Sequence, residues 1–424
     1  MLPRRIVLTT FGSLGDLHPY IAIATALGAR GHEAVIATTP NYREKVEALG
    51  IEFHAVRPDI SEAVRDPETM RRLMDLRKGT EVVVREMVMP HLRDTYDDLA
   101  AACDGADVVV GHPLTFTARL VAEKTGIRWA SSMLAPIGFF SATDPSVMPT
   151  APWLASLRFL GPGFLRAIHA LAKWTVRPWC EPWHRLRADL GLPPTKDVPL
   201  FEGQHSPSLV LALFSSQFAR PQTDWPPHTV VTGFAFFDED GASDLSPELA
   251  QFLDAGDPPI VFTLGSSAIH DAGRFYEHAA ESARRLHRRA VLLVGKETDN
   301  VPASLPLGVA AFDYAPHSKL FPRAAAIVHQ GGIGTTGQAM RSGRPMIVVP
   351  FAHDQPDNAA RVKRLGIART IARKSFEPSR VTRELASLLD DPAVAARAAD
   401  VGRAVAAEDG AGAAADEIER LASS

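Results

Sequence analysis

Short apolar runs and stretches of helical period alternate from the first residues of the chain. Residues 6–10 form an apolar run of the kind found in strands buried on both faces. A glycine-containing turn follows. Residues 19–30 then carry apolar positions at helical spacing, with Pro19 near the start and Gly31 just past the end. Glu33–Thr38 reads as a second strand, 42–49 as a second helix closed by Gly50, and 51–56 as a third strand. Residues 108–110 and 128–132 continue the rhythm. This alternation predicts a parallel sheet covered by helices.

The rhythm restarts near residue 258. Strands are expected at 260–264, 290–294, 325–329, 346–350 and 368–371, with helices between them, among them 272–288. Both halves open alike, an apolar run passing into Phe11-Gly12-Ser13 or into Leu264-Gly265-Ser266. The pattern predicts an α/β chain of two tandem Rossmann-like, doubly wound domains. The first is expected over 1–238, a linker over 239–257, the second domain over 258–400, and a closing helix over 401–424 that crosses back to the first domain. Asp238, Gly241, Pro247 and Pro258 break the pattern at the joint. Ligands of such sheets sit at the carboxyl ends of the strands, here expected in the cleft between the domains.

Residues 149–187 depart from the rhythm and hold Trp153, Trp174, Trp179 and Trp183. Trp153, Leu157, Leu160, Phe164, Ile168 and Leu171 recur at helical spacing, while Arg158, Arg166, Lys173 and Arg177 face elsewhere. Gly161, Pro162 and Gly163 are expected to split the stretch into two helices. Three roles fit it: packing on its own domain, a wall for an acceptor, or an amphipathic patch touching a membrane.

Composition narrows the class. Hydrophobic residues make up 46% and charged residues 22% of the 424, enough for sizeable cores. The net charge of −4 lacks the basic excess of a chain that lives on nucleic acid. Two cysteines, Cys103 and Cys180, make neither a disulfide framework nor a cysteine zinc site. Arg4 and Arg5 before an apolar run imitate a secretory signal, but Gly12, Gly15 and Asp16 interrupt it and no small-residue cleavage pattern follows. With no apolar run of ~20 residues, the expectation is a cytoplasmic protein without stable membrane insertion.

The densest chemical signal lies over 329–361. His329 ends a strand, and the glycine-rich run from Gly331 to Gly337 turns into a helix. Backbone N–H groups and the positive helix end there suit a diphosphate. Gly332, Gly334 and Gly337 match a dinucleotide fingerprint, with Asp354 about twenty residues on. That lone match explains fewer residues than a nucleotide-sugar site does, in which His329 meets phosphate and Asp354 and Gln355 meet sugar hydroxyls.

The run from His329 to Thr336, then Gly343, Arg344, Pro345, Pro350, Asp354, Gln355, Asn358 and Arg361, resembles the donor-binding signature of family 1 glycosyltransferases. Tyr314, Ala315, Pro316, His317 and Leu320 resemble the start of that signature. At the other end, residues 12–19 resemble the acceptor-side loop of the branch with glycopeptide and sterol glucosyltransferases and rhamnolipid rhamnosyltransferases. The resemblance implies the GT-B fold and an inverting, metal-independent transfer of a hexose. The donor is a UDP- or dTDP-linked sugar, the acceptor a small apolar hydroxyl compound such as a polyphenol, sterol or hydroxylated lipid.

It also implies roles. Asp16 falls where this branch places its base, and His112 about where plant members carry the aspartate that steadies a catalytic histidine. His329, Gly331 and the amides of Gly334, Thr335 and Thr336 are expected on the diphosphate, and Tyr314 and His317 on the nucleobase. Ser266, in the opening turn of the second half, is expected to join them, with Asp354 and Gln355 on the sugar. Gly15, His18, Met133, Phe139, Trp153 and Trp174 are expected around the acceptor. Gly337 stands where many UDP-sugar users place a glutamate on the ribose, so the nucleotide stays open between UDP and dTDP.

Asp16 could instead cap the helix after it, His112 and His329 could satisfy backbone groups, and His18 could be a surface residue. No cofactor or metal is expected beyond the nucleotide sugar, because the fifteen histidines show no ligand spacing. The partners expected are the two small substrates, with the chain a monomer or weak homodimer. A sugar-nucleotide epimerase or hydrolase of this shape, or a non-catalytic binding partner, are the rival readings.

Overall fold

The computed structural model describes residues 2–238, 244–296 and 298–424. The chain divides into two compact units. One comprises Met1–Leu73, Arg77–Phe236 and Asp409–Ser424, the other Met74–Leu76 and Phe237–Glu408.

The first unit holds seven parallel strands: β1 (Arg5–Thr9), β2 (Glu33–Thr38), β3 (Glu52–Ala55), β4 (Val108–Gly111), β5 (Arg128–Met133), β6 (Val210–Ala212) and β7 (Thr229–Val231). Their order is β3-β2-β1-β4-β5-β6-β7. The chain builds outward from β1 to β3, then returns to the other side of β1 with β4. That reversal leaves a crevice beyond the ends of β1 and β4, where connections diverge to opposite faces. Thr9 pairs in register with Gly111 there. Ile6, Val7 and Leu8 beside Val108, Val109 and Val110 have no exposed surface, as strands covered on both faces require.

The second unit repeats the plan with β8 (Ile260–Thr263), β9 (Ala290–Leu293), β10 (Val309–Phe312), β11 (Ala326–His329), β12 (Met346–Val348) and β13 (Ala368–Thr370). The order β10-β9-β8-β11-β12-β13 places its reversal between β8 and β11, where Thr263 pairs with His329.

Several elements differ from the pattern's expectation. The opening helix spans Leu14–Ala29 and starts before Pro19, because Ser13 caps it and Asp16 closes a capping box at the third helical position. Residues 61–102, for which the pattern carried no expectation, fold as a string of short helices ending in Leu92–Ala102. In the stretch expected as a linker, 239–243 lie outside the described residues, and Pro247–Asp254 is a helix capped by Ser246. The Gly-Pro-Gly at 161–163 does divide its stretch as expected, and it also opens the helix Gly161–Val176, since proline suits a first turn. Ahead of it, Pro152–Leu160 is a 3-10 stretch. The helix Pro392–Ala406 stays with the second unit, and the crossing starts later, with the closing helix Gly410–Ser423. That helix is fastened to the first unit by charge. His32 Nε2 lies 2.7 Å from Glu419, and Arg30 bonds Asp416 at 2.6 Å and Glu419 at 2.9 Å.

Candidate active site

In the first unit, the reversal point brings Asp16 and His112 together. Asp16 lies in the first turn of the helix after β1, and His112 directly follows β4. His112 Nδ1 accepts the Leu114 N–H at 3.1 Å, so the proton of the neutral ring sits on Nε2. Nε2 is 3.3 Å from Asp16 Oδ1 and donates to it. Asp16 Oδ2 accepts the Ser13 N–H at 2.7 Å and the Ser13 hydroxyl at 3.0 Å. Burial pushes the Asp16 carboxyl up, but the His112 and Ser13 bonds outweigh it and hold the group below its usual range. The His112 side chain is 4% exposed and that of Asp16 32%. The carboxylate is therefore anchored at its back and open at its front.

The surroundings keep that geometry. Gly12 has φ +137°, and a Cβ there would stand 2.3 Å from Asp16 Oδ2. The Tyr42 hydroxyl donates to the Gly12 carbonyl at 2.9 Å. Burial, followed by the Asp16 charge, pushes the Tyr42 phenol up to about 12, so it stays a neutral donor. Ser13 and Gly12 stand in the loop 12–19 read from the sequence, but neither they nor Tyr42 were assigned a role there. The Ser13-to-Asp16 spacing is a capping-box signal that could have exposed the first of them.

In the second unit, the turns after β8 and β11 lie side by side. Gly331 has φ +91°, and a Cβ there would meet Val348 at 2.6 Å. The helix Ile333–Arg341 begins at Gly332, with Thr336 N–H making a bond to the Gly332 carbonyl at 2.9 Å. The amides of Ile333, Gly334 and Thr335 precede that bond and lie at the positive end of the helix. Gly334 is exposed there, and Ser266 is exposed in the neighbouring turn. This is a cradle for an anion.

Three of the expected donor-site residues are turned into their own turns. His329 is fully buried; its Nδ1 accepts the Gly331 N–H at 3.1 Å, and its Nε2 lies 3.4 Å from Met346 Sδ. Burial, with His317 charge second, lowers its pKa to about 3, so it is a neutral brace beneath the turn and offers phosphate no open face. Thr336 is also fully buried, and both its N–H and its hydroxyl bond the Gly332 carbonyl, so Ile333 takes its place among the available amides. Gln355 is 5% exposed, and its Oε1 accepts the Phe351 and Ala352 amides at 2.8 and 3.1 Å. It ties the turn that carries Asp354.

Asp354 occupies the N-cap position of the helix Gln355–Arg364, yet its side chain makes no capping bond. One carboxylate oxygen accepts from Asn358 Nδ2 at 2.6 Å, and the same amide reaches the Gly331 carbonyl at 2.9 Å. Asn358 thus ties the turn that carries Asp354 to the glycine-rich turn after β11. His353, just before, holds φ +55°, a conformation that costs a non-glycine residue about 1–3 kcal/mol. Tyr314 is 59% exposed after β10, and His317 stacks on Phe321 at 4.3 Å. Gln330 stands in the run that carries the donor-signature resemblance, but the sequence assigned it no role. It is 5% exposed and fills the space left by Gly265 and Gly332, whose added Cβ atoms would stand 2.3 and 2.9 Å from its Nε2. No local pattern marks such a residue.

The residues expected around the acceptor are scattered. Gly15 donates to Ser13 Oγ at 3.2 Å, and His18 is half-buried on the opening helix. Met133 and Phe139 are buried, whereas Trp153 and Trp174 are 61% and 72% exposed. A cavity of about 890 Å³ opens in this unit between the helices Thr117–Thr125 and Gly161–Val176 and the 197–228 connections. Phe139 lines it, stacked on Trp225 at 4.2 Å, but Gly15, His18, Met133, Trp153 and Trp174 do not. Asp16 and His112 lie outside it as well. Among the described residues, no group of three or more His, Cys, Asp or Glu is placed to hold a metal ion.

Comparison with known proteins finds a match for each half of the chain. Residues 6–136 match the glycosyltransferase family 28 N-terminal domain. Residues 279–421 match the C-terminal domain of erythromycin biosynthesis protein CIII-like proteins. The O-mycaminosyltylonolide 6-deoxyallosyltransferase of Streptomyces fradiae is 34% identical over 419 residues, 96% of this chain and 94% of its own. The glycotransferase of kitacinnamycin superposes with a TM-score of 0.72 at 24% identity, covering 99% of this chain and 100% of that one. The glycosyltransferase VinC, crystallised with dTDP, does so with a TM-score of 0.70 at 20% identity, over 99% of both chains.

Proposed function

The chain belongs to the family 1 glycosyltransferases of GT-B fold, hexosyltransferases that use nucleotide sugars, and from that premise we propose that it is an inverting enzyme with Asp16 as its base. The observation that carries this reading is the Asp16 carboxylate, anchored through Ser13 and His112 and exposed on its remaining side.

Asp16 Oδ1 takes the proton of the acceptor hydroxyl as that oxygen attacks the anomeric carbon from the face opposite the diphosphate. A carboxylate below its usual pKa is a weak base toward an alcohol, so proton transfer runs concerted with attack. His112 is a positioning residue: Nδ1 is spent on Leu114 and Nε2–H on Asp16. The leaving diphosphate gains charge at the amides of Ile333, Gly334 and Thr335, which offer preorganised donors without a metal. Asp354 holds sugar hydroxyls, and Tyr314 with His317 flanks the base.

For the donor we favour a dTDP-linked 6-deoxyhexose, with UDP-glucose the alternative. The Streptomyces relative is named for transfer of a 6-deoxyallosyl group, VinC was crystallised with dTDP, and Gly337 leaves no carboxylate for a ribose. The acceptor is a small, largely apolar hydroxyl compound; the relative's is a macrolide, and polyphenols, sterols and hydroxylated lipids share that character. Turnover of dTDP-rhamnose and UDP-glucose with a macrolide aglycone and a flavonoid tests this, with the anomeric configuration of the product read by NMR. Inversion with dTDP-sugar preferred is expected. Retention of configuration would exclude the single displacement, and turnover of UDP-glucose alone would move the donor assignment.

A further inference from the structure

Of the apolar stripe read in the sequence over 153–171, Trp153, Leu160, Phe164 and Leu171 are exposed, while Ile168 turns inward. In the helix Gly161–Val176, the inward face is Leu165, Ile168, Ala172 and Val176, with Ala172 and Val176 packed against the core of the first unit. Phe164, Ala167, Leu171 and Trp174 recur at steps of three and four along a second face, and all are exposed. Leu171 is 57% and Trp174 72% exposed. The preceding 3-10 stretch adds Trp153, Phe159 and Leu160 at 61%, 75% and 48%. With Phe164, these are six of the thirteen exposed large apolar side chains of the described residues. A helix apolar on two faces needs a second cover.

The charge of the segment identifies that cover. No acidic residue occurs between Asp144 and Glu181, although 49 acids are spread over the 424 residues. Arg158 and Arg177 are exposed beside the apolar face, whereas Arg166 lines the cavity of this unit and Lys173, also in its wall, pairs with Glu202 at 2.6 Å. A second copy bound face to face would set these arginines against themselves, because a two-fold interface repeats the same patch. An anionic lipid surface instead takes tryptophan, phenylalanine and leucine into its interface and arginine onto its phosphates.

We propose that residues 152–177 dock the enzyme peripherally on anionic membranes. No helix of the described residues is long and apolar enough to cross a bilayer, so the contact is interfacial. It would bring the enzyme to the surface in which lipophilic acceptors concentrate.

The test uses the full chain with vesicles of phosphatidylcholine alone and vesicles rich in phosphatidylglycerol, read by co-sedimentation. Binding to the anionic vesicles, weakened by salt, is expected. Arg158→Gln with Arg177→Gln should lower partitioning about twenty-five-fold, at roughly a fivefold loss per arginine. Phe159→Ser with Leu171→Ser should abolish it with the melting temperature unchanged. No binding to anionic vesicles, or equal binding by the variants, overturns the proposal. So does a shift from dimer to monomer in Phe159→Ser with Leu171→Ser while vesicle binding persists, which would assign the face to a second copy.

Discussion

Asp16 and His112 stand 96 residues apart in the chain and 3.3 Å apart in the fold. They meet because β1 and β4 are neighbours at the point where the sheet reverses direction, so the first residues past each strand share one crevice. The capping box sets the carboxylate and the imidazole aims it. Asp16 is both a helix-terminal residue and the base candidate, and the two roles use different oxygens.

Asp16→Asn should keep donor binding and lose turnover by about 10²-fold or more. The shape and the Ser13 contacts survive, so the loss reports proton acceptance. Gly12→Ala should approach the same deficit by another route, since its Cβ would occupy the carboxylate's place. Steady-state rates beside calorimetric donor affinity check both. Turnover of Asp16→Asn within about threefold of the parent would leave Asp16 as a cap alone.

The pH profile distinguishes a positioning role for His112 from a merely structural one. Turnover needs ionised Asp16, so it is full above the depressed pKa and falls as pH drops through it. His112→Ala removes a bond to the anion while burial remains, so the acid limb should move to higher pH. His112→Gln, which restores an N–H donor, should move it part of the way back. An acid limb that stays in place in His112→Ala would detach His112 from the base.

The donor site divides by chemistry. His329→Ala should weaken free nucleoside diphosphate and intact donor alike, by about tenfold, because the braced turn loses a buried hydrogen bond. Asp354→Ala should weaken the intact donor only, since its proposed partners are sugar hydroxyls. Isothermal calorimetry with dTDP and with a dTDP-sugar reads both. Equal loss of free nucleotide in the two variants would refute the division.

The closing helix should stabilise the first unit through Glu419. Burial raises its carboxyl, but His32 and Arg30 hold it below the usual range. Its contribution is therefore present above the unfolded carboxylate pKa and is lost as pH falls through the folded value. Glu419→Gln should cost about 1–3 kcal/mol at neutral pH and less in acid. Thermal melts across that range measure it; an equal deficit at every pH would assign the loss to packing.

Local pattern determined much of this protein. Apolar runs such as 6–10 and 260–264 announced buried parallel strands, because a strand covered on both faces has no polar alternation to show. The glycine-rich turn after His329 was legible for a related reason: the positive φ at Gly331 and the close approach of Val348 admit no side chain. What the local pattern could not assign was direction. The stripe from Trp153 to Leu171 has helical period whichever side it faces, and only packing sends Ile168 inward and Leu171 outward. Trp183 lies in the same stretch and is wholly buried, its indole N–H donating to the Phe116 carbonyl at 2.9 Å. His329 and Gln355 carry polar groups that sequence assigns to a ligand, yet the fold spends them on the backbone of their own turns. Periodicity is a property of neighbours in the chain. Burial and pairing belong to neighbours in space, and those are chosen only when the sheet closes.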